Sequence, residues 1–365
     1  MISRRLPPWA VNAVVVPLAS VLCGFVVAGV VISVTGSDPF QALTALFQGA
    51  FTNNAAFAET LVSSIPYIFL GLGLALGFKA GLFNIGAEGQ FYIGGLAGVF
   101  AAYSIHGLPG LIEIPLAIIA GMLGGFAWSG LAGALKARFG AHEVITTIML
   151  NYVAFLLANY LIDGGLMLAK NVSTPRTPEI DANAQLPIII PGTRLHFGLI
   201  LAVLAVPAVW FLIERTTIGF QLRSVGFNPT AARANGMSVG RTLILSMGIS
   251  GALAGTAGIV QILGLSHHMT DTVAAGYGFD AIAVALLARS NPWGVLPAAF
   301  LFGALRNGAS FMQLETQVSA DLVSIVQAMV IIFVAAPVIV RWLLRLRAQP
   351  LQELQLAERD EATVV

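Results

Sequence analysis

The chain has 365 residues, 57% hydrophobic and only 10% charged, with a formal net charge of +1 and a mean hydropathy of +0.87. A soluble domain carries about 25% charged residues, so a water-soluble enzyme is excluded, and the near-zero charge excludes a basic nucleic-acid-binding surface. Cys23 is alone and cannot form an internal disulfide, and the five histidines lack metal-site spacing; no bound metal is expected.

A transmembrane helix needs about 20 mostly apolar residues. Runs of that kind, or close to it, fall at 11–34, 61–79, 84–103, 112–135, 144–163, 196–213, 242–266, 273–289, 293–312 and 321–341. The fold class read from them is all-α: a polytopic membrane protein of about ten transmembrane helices, with one or two broken or re-entrant segments. The first run is too long for a signal-peptide core and reads as a retained span. With the N-terminus inside, fourteen of the 18 Lys+Arg face the cytoplasm, and Lys170, Arg176 and Arg194 face outward. The positive-inside rule therefore favours both termini cytoplasmic. Residues 1–349 form the transmembrane domain, with a proline-rich outer loop over 164–194, and 350–365 form a polar cytoplasmic tail.

The third run opens unusually, with Gly81-Leu82-Phe83-Asn84-Ile85-Gly86-Ala87-Glu88-Gly89-Gln90. Polar groups and irregular backbone at membrane depth are tolerated only where protein or a water-filled cavity satisfies them. Two readings stand for Asn84, Glu88 and Gln90. They line a solute path or hold a broken helix together, or Asn84 caps the third span and Glu88 occupies its first turn. Asn151, in the fifth run, lines the path or bonds a neighbouring helix. Asp280, preceded by Tyr277 and Phe279, either meets a solute or fixes a re-entrant backbone. Arg306 and Asn307 form an intramembrane polar pair, with snorkelling open to the arginine. Gly121/Gly125 and Gly251/Gly255 read as close helix packing. A weak likeness between 81–100 and 274–300 suggests an internal repeat.

The inner loop carries a punctuated short helix over about 226–240. Asn228 suits the N-cap, Pro229 the first helical position and Gly236 the left-handed residue beyond the end. Ala231, Ala232 and Ala234 leave the backbone open to close approach. The segment is either a capped connector or a dock for a soluble partner.

Asn-Pro-x-Ala-Ala-Arg-x-x-Gly over 228–236 resembles the coupling helix of ABC-importer permeases in the branched-chain amino acid and simple-sugar group. Residues 81–90, Thr146–Tyr152 and Gly276–Leu287 are similar to segments of its nucleoside branch, in the same order. The resemblance covers about 60–340; Ala288 stands where that branch more often has glycine. It implies a permease subunit of a nucleoside importer in a bacterial inner membrane. It assigns Asn228, Pro229, Ala231, Ala232, Arg233 and Gly236 to the grip of a separate ATP-binding subunit. It also implies a second, related permease chain as heterodimer partner, and an external solute-binding protein, often a lipoprotein. No cofactor is expected on this chain, and ATP is used by the partner. Consistently, Lys79, Lys136 and Lys170 follow Phe, Leu and Ala, so no Gly-Lys-Ser/Thr phosphate loop exists. The path candidates are then Asn84, Glu88, Gln90, Asn151, Phe279, Asp280 and Asn307, with Gln261 a lesser one. The alternatives are the same machinery importing a simple sugar or branched-chain amino acid, and an ion-coupled secondary transporter. An intramembrane enzyme lacks any Ser/His/Asp or metal constellation in the spans.

Overall fold

The computed structural model describes residues 16–316, apart from 35, 37, 106, 171, 271, 272 and 275, together with isolated positions beyond 323. Most of the tenth run, the polar tail and both termini lie outside the described residues. The chain divides into two units, Met1–Pro39 with Ser324–Val365, and Phe40–Val323. Of the first, the described part is the apolar helix α1 (Val16–Val34).

The second unit is helical throughout its described spans. In order come α2 (Pro39–Phe51), α3 (Asn54–Lys79), α4 (Ala87–Ser104), α5 (Gly110–Phe139), α6 (Glu143–Asp163) and α7 (Gly198–Arg215). The short α8 (Thr217–Phe227) and α9 (Pro229–Ala234) follow, then α10 (Val239–Gln261), α11 (Tyr277–Leu287) and α12 (Pro292–Thr316). Among the described residues, α3, α5, α6, α7, α12 and α10 with its π-helical extension to Ser266 are long and apolar enough to cross a membrane. Of the ten runs expected from sequence, 84–103 yields the 18-residue α4 and 273–289 only the 11-residue α11.

Burial separates centre from rim. The apolar stretch of α3 is 83% buried and that of α10 72%, against 22–28% for α5, α6 and α7. The exposed faces of those outer helices are apolar, as with Leu123, Ile145, Met149, Leu156 and Leu204, and suit lipid. The α5–α10 seam is made of glycine. A methyl group on Gly251 would strike the Gly125 carbonyl, and one on Gly255 the Gly121 carbonyl. The paired glycines legible in the sequence thus let two backbones touch.

Ion pairs mark the two ends of α3. Near its start, Glu59 pairs with Arg194 of the outer loop; at its finish, Lys79 lies 3.1 Å from Glu214, which also takes Arg223. The outer loop straps across the far end of α10, where a π turn (Ile262–Ser266) ends at His267 in the left-handed region. Loop amides satisfy the carbonyls there: Thr177 donates to Met269, Ile180 to His267 and Leu186 to Leu263, at 2.9–3.0 Å.

Candidate solute path

Beyond Lys79 the chain doubles back along α3 without helical structure until Ala87. Several backbone groups there are taken by side chains. Asn84, fully buried, accepts from the Gly86 amide at 2.9 Å and exchanges two 3.0 Å hydrogen bonds with Gln90. Its Nδ2 also donates to Ser250 Oγ. Thr147 Oγ1 accepts from Ile85, while Asn151 accepts from the Gly89 amide and donates to the Ile85 carbonyl, both at 2.9 Å. These side chains satisfy polar backbone groups of an irregular turn between apolar spans. Asn84 is not the helix cap: α4 starts after Gly86, without any side-chain cap.

Glu88, in the first turn of α4, caps a different helix. Its two carboxylate oxygens accept from the backbone amides of Gly276 (2.9 Å) and Gly278 (2.6 Å). Those are first-turn donors of α11, which has no capping side chain of its own. Gly278 must lack a side chain, because a Cβ would fall 2.6 Å from Glu88 Cα. Two interrupted helices thus begin at one carboxylate, where both dipoles favour negative charge.

One turn into α11 lies a partly open polar group. Tyr67 donates its hydroxyl to Asp280 Oδ2 at 2.7 Å, and Arg306 approaches the same oxygen at 3.6 Å and the Tyr67 hydroxyl at 3.3 Å. The Arg306 guanidinium lies 3.8 Å above the Tyr277 ring, which packs edge-on against Tyr67. Arginine here turns into the bundle toward its partners, so the snorkelling reading does not describe it. At 1.5 Å per residue, Tyr67 is about 20 Å along the 26-residue α3 and Arg306 about 21 Å along the 25-residue α12, so the cluster sits near the middle of both spans. The Asp280 and Arg306 side chains remain 21% and 26% exposed, and the Phe279 ring is 49% exposed. An interrupted helix presenting a polar group at the midplane is the arrangement that transporters use for solute.

The path candidates therefore separate. Asn84, Gln90 and Asn151 brace the same buried turn; Glu88 joins it to α11; Phe279 and Asp280 are partly exposed. Asn307 stands apart, its amide donating to Gly49 and Ala56 carbonyls and to Thr60 Oγ1, where it ties α2 to α3 and α12. Tyr67, Thr147 and Ser250 belong to these networks and are not distinguished by sequence, since a single hydroxyl in an apolar run carries no periodic signal.

The short helix expected at 226–240 is built as its punctuation predicts. Asn228 Oδ1 accepts from the Thr230 and Ala231 amides at 3.0 Å, Pro229 opens α9, and Gly236 follows with φ +78°. The expected helix over 226–240 is in fact confined to Pro229–Ala234, with α8 ahead of it. Ala232 is buried against Val225 and Val239, while Ala231, Arg233, Ala234 and Phe227, 94% exposed, face outward. The preceding residue, Gly226, lies against the turn after α3: a Cβ on Gly81, itself at φ +71°, would be 3.1 Å from Gly226 Cα. The end of α8, which leads into α9, thus abuts the turn after α3.

The family model for the permease component of branched-chain amino acid transport systems matches residues 56–335. The chain belongs to that permease family. The permease is 40% identical over 335 residues to the guanosine ABC transporter permease protein NupP of Bacillus subtilis (strain 168), covering 90% of this chain and 95% of that one. It is 36% identical over 341 residues to the nucleoside ABC transporter permease protein NupB of Lactococcus lactis subsp. cremoris, covering 91% and 93%. It is also 36% identical over 340 residues to the glucose ABC transporter permease protein TsgB13 of Haloferax volcanii, covering 90% and 88%. Both bacteria have a second, more distant relative named as a permease of the same kind. No solved structure matches the permease.

Proposed function

We propose that this multi-pass membrane protein is a nucleoside-translocating subunit of an ABC importer. The near end-to-end likeness to two nucleoside permeases carries the reading, and the mid-span cluster of Tyr67, Tyr277, Phe279, Asp280 and Arg306 offers a fitting surface: an aromatic face beside a hydrogen-bonding carboxylate. Solute arrives on an external binding protein. Energy comes from a separate ATP-binding subunit seated on α9, through Ala231, Arg233 and the exposed turn around Asn228, Pro229 and Gly236. The chain itself binds no cofactor. A second, related permease completes the pore, in a bacterial inner membrane with both termini cytoplasmic. ATP binding rocks the permease pair, and the contact of Gly226 with Gly81 hands that motion to the turn that supports Glu88 and α11.

The glucose relative supports a second cargo, a simple sugar, by the same machinery. The test is uptake of labelled guanosine and uridine by cells lacking this chain, with and without its re-expression, with glucose and ribose in parallel. Restored nucleoside uptake supports the reading; restoration of sugar uptake alone replaces the cargo. Deleting 228–236 should abolish uptake by an ATP-driven importer and leave an ion-coupled carrier nearly unaffected.

A further inference from the structure

The two oxygens of Asp280 have different tasks. Oδ2 is taken by the Tyr67 hydroxyl and faced by Arg306. Oδ1 has no hydrogen-bond partner among the described residues, and the side chain is 21% exposed. A carboxylate oxygen carries two acceptor lone pairs, and one held open at mid-span is an unmet demand for a donor. Tyr67 is fully buried and anchored on three sides by aromatic and polar contacts with α11 and α12. The tyrosine and the arginine therefore fix the direction in which Oδ1 points. The adjacent Phe279 offers a half-exposed ring on the same helical turn.

We propose, resting on the nucleoside reading, that Asp280 is a specificity-determining residue: its Oδ1 accepts a ribose hydroxyl of the passing nucleoside, so the permease itself favours ribonucleosides over deoxyribonucleosides. A single open oxygen suits one hydroxyl donor. A guanine edge, which presents two parallel N–H groups, would need both carboxylate oxygens, and Oδ2 is committed. Phe279 then meets the base, and Arg306 with Tyr67 position the carboxylate without touching solute.

The experiment uses the complete transporter, with both permease chains, ATP-binding subunit and binding protein, in proteoliposomes. Uptake is measured with the binding protein saturated by each nucleoside, so its own affinity does not enter. The substrates are guanosine and uridine, each with its 2′-deoxy, 3′-deoxy and 2′-fluoro-2′-deoxy analogues. In the wild type, loss of at least one hydroxyl should slow uptake about tenfold or more, as expected for a hydrogen bond to a charged group. If the 2′ group is the sensitive one, fluorine, an acceptor only, should not restore it. Asp280→Asn should bring the ribo/deoxy ratio close to 1 in both base series. Equal uptake of ribo and deoxy forms by the wild type overturns the proposal, as does restoration of a 2′ loss by fluorine. An Asp280→Asn transporter that keeps its sugar preference but changes its guanosine/uridine preference also overturns it. The analogue series on the wild type decides the matter even if the variant fails to assemble. Failure of the wild type to move any nucleoside would instead sink the cargo assignment.

Discussion

Replacing Glu88 by Gln tests the idea that one carboxylate caps α11 from a neighbouring helix. The glutamate accepts two backbone amides, from Gly276 and Gly278. Glutamine keeps one acceptor oxygen and turns an NH2 group toward the other amide. One charge-assisted bond is lost, worth about 1.5–3 kcal/mol, and a buried donor is left facing a donor, which costs more. The expected loss is about 2–4 kcal/mol of local stability at the start of α11. At 1.4 kcal/mol per factor of ten, amides of the first α11 turn should exchange with deuterium roughly 30- to 700-fold faster. Peptides spanning 274–285, followed by mass spectrometry in detergent or nanodiscs, report this directly. Uptake should fall with it, because Asp280 rides on that turn. Unchanged exchange with abolished uptake would refute the capping argument and make Glu88 a solute contact.

Asn228→Ala removes a cap that holds two amides and should cost about 0.5–2 kcal/mol in α9; uptake should drop more than transporter assembly, and ATP hydrolysis should become less responsive to loaded binding protein. Gly255→Leu places a side chain where the Gly121 carbonyl already sits, so the protein should fail to reach the membrane in folded form, as read by size-exclusion profile of a fluorescent fusion. Asn151→Leu leaves the Gly89 amide and the Ile85 carbonyl without partners and should destabilise by about 2–6 kcal/mol, at 1–3 for each orphaned group, measured by thermal unfolding in detergent. Lys79→Ala, by contrast, removes a half-exposed partner from a Glu214 that retains Arg223, and should change stability by less than about 1 kcal/mol.

Sequence made the inner helix legible because its signals are local: asparagine, proline and glycine each act within one turn of their own position. It also exposed residues 81–90 as irregular, since glycines and amides interrupt an apolar run. The duties of those amides were not legible, because their partners lie far along the chain. Ser250 is 166 residues from Asn84, and Gly276 is 188 from Glu88. The short α11 was hidden by composition: the apolar run starts at 273, but the helix starts only after Gly276 at φ +86°, and the chain turns at Arg289 and Ser290, both left-handed. The 13-residue α2 fell below the length expected of a span. Tyr67 was invisible because an aromatic ring in an apolar run reads as packing, whereas its hydroxyl is what joins Asp280 to Arg306.

The glycine seam between α5 and α10 also constrains how the molecule is made. Gly121 and Gly255 are separated by about 130 residues of chain. At 5–20 residues per second of synthesis, α5 waits roughly 7 to 26 s before its partner emerges. During that wait α4, already made, can cover one side of its glycine stripe, where Gly121 and Gly124 lie against Gly94. This backbone-to-backbone contact can form only late, so insertion must keep the α10 side of the stripe unoccupied by other passing helices until α10 arrives.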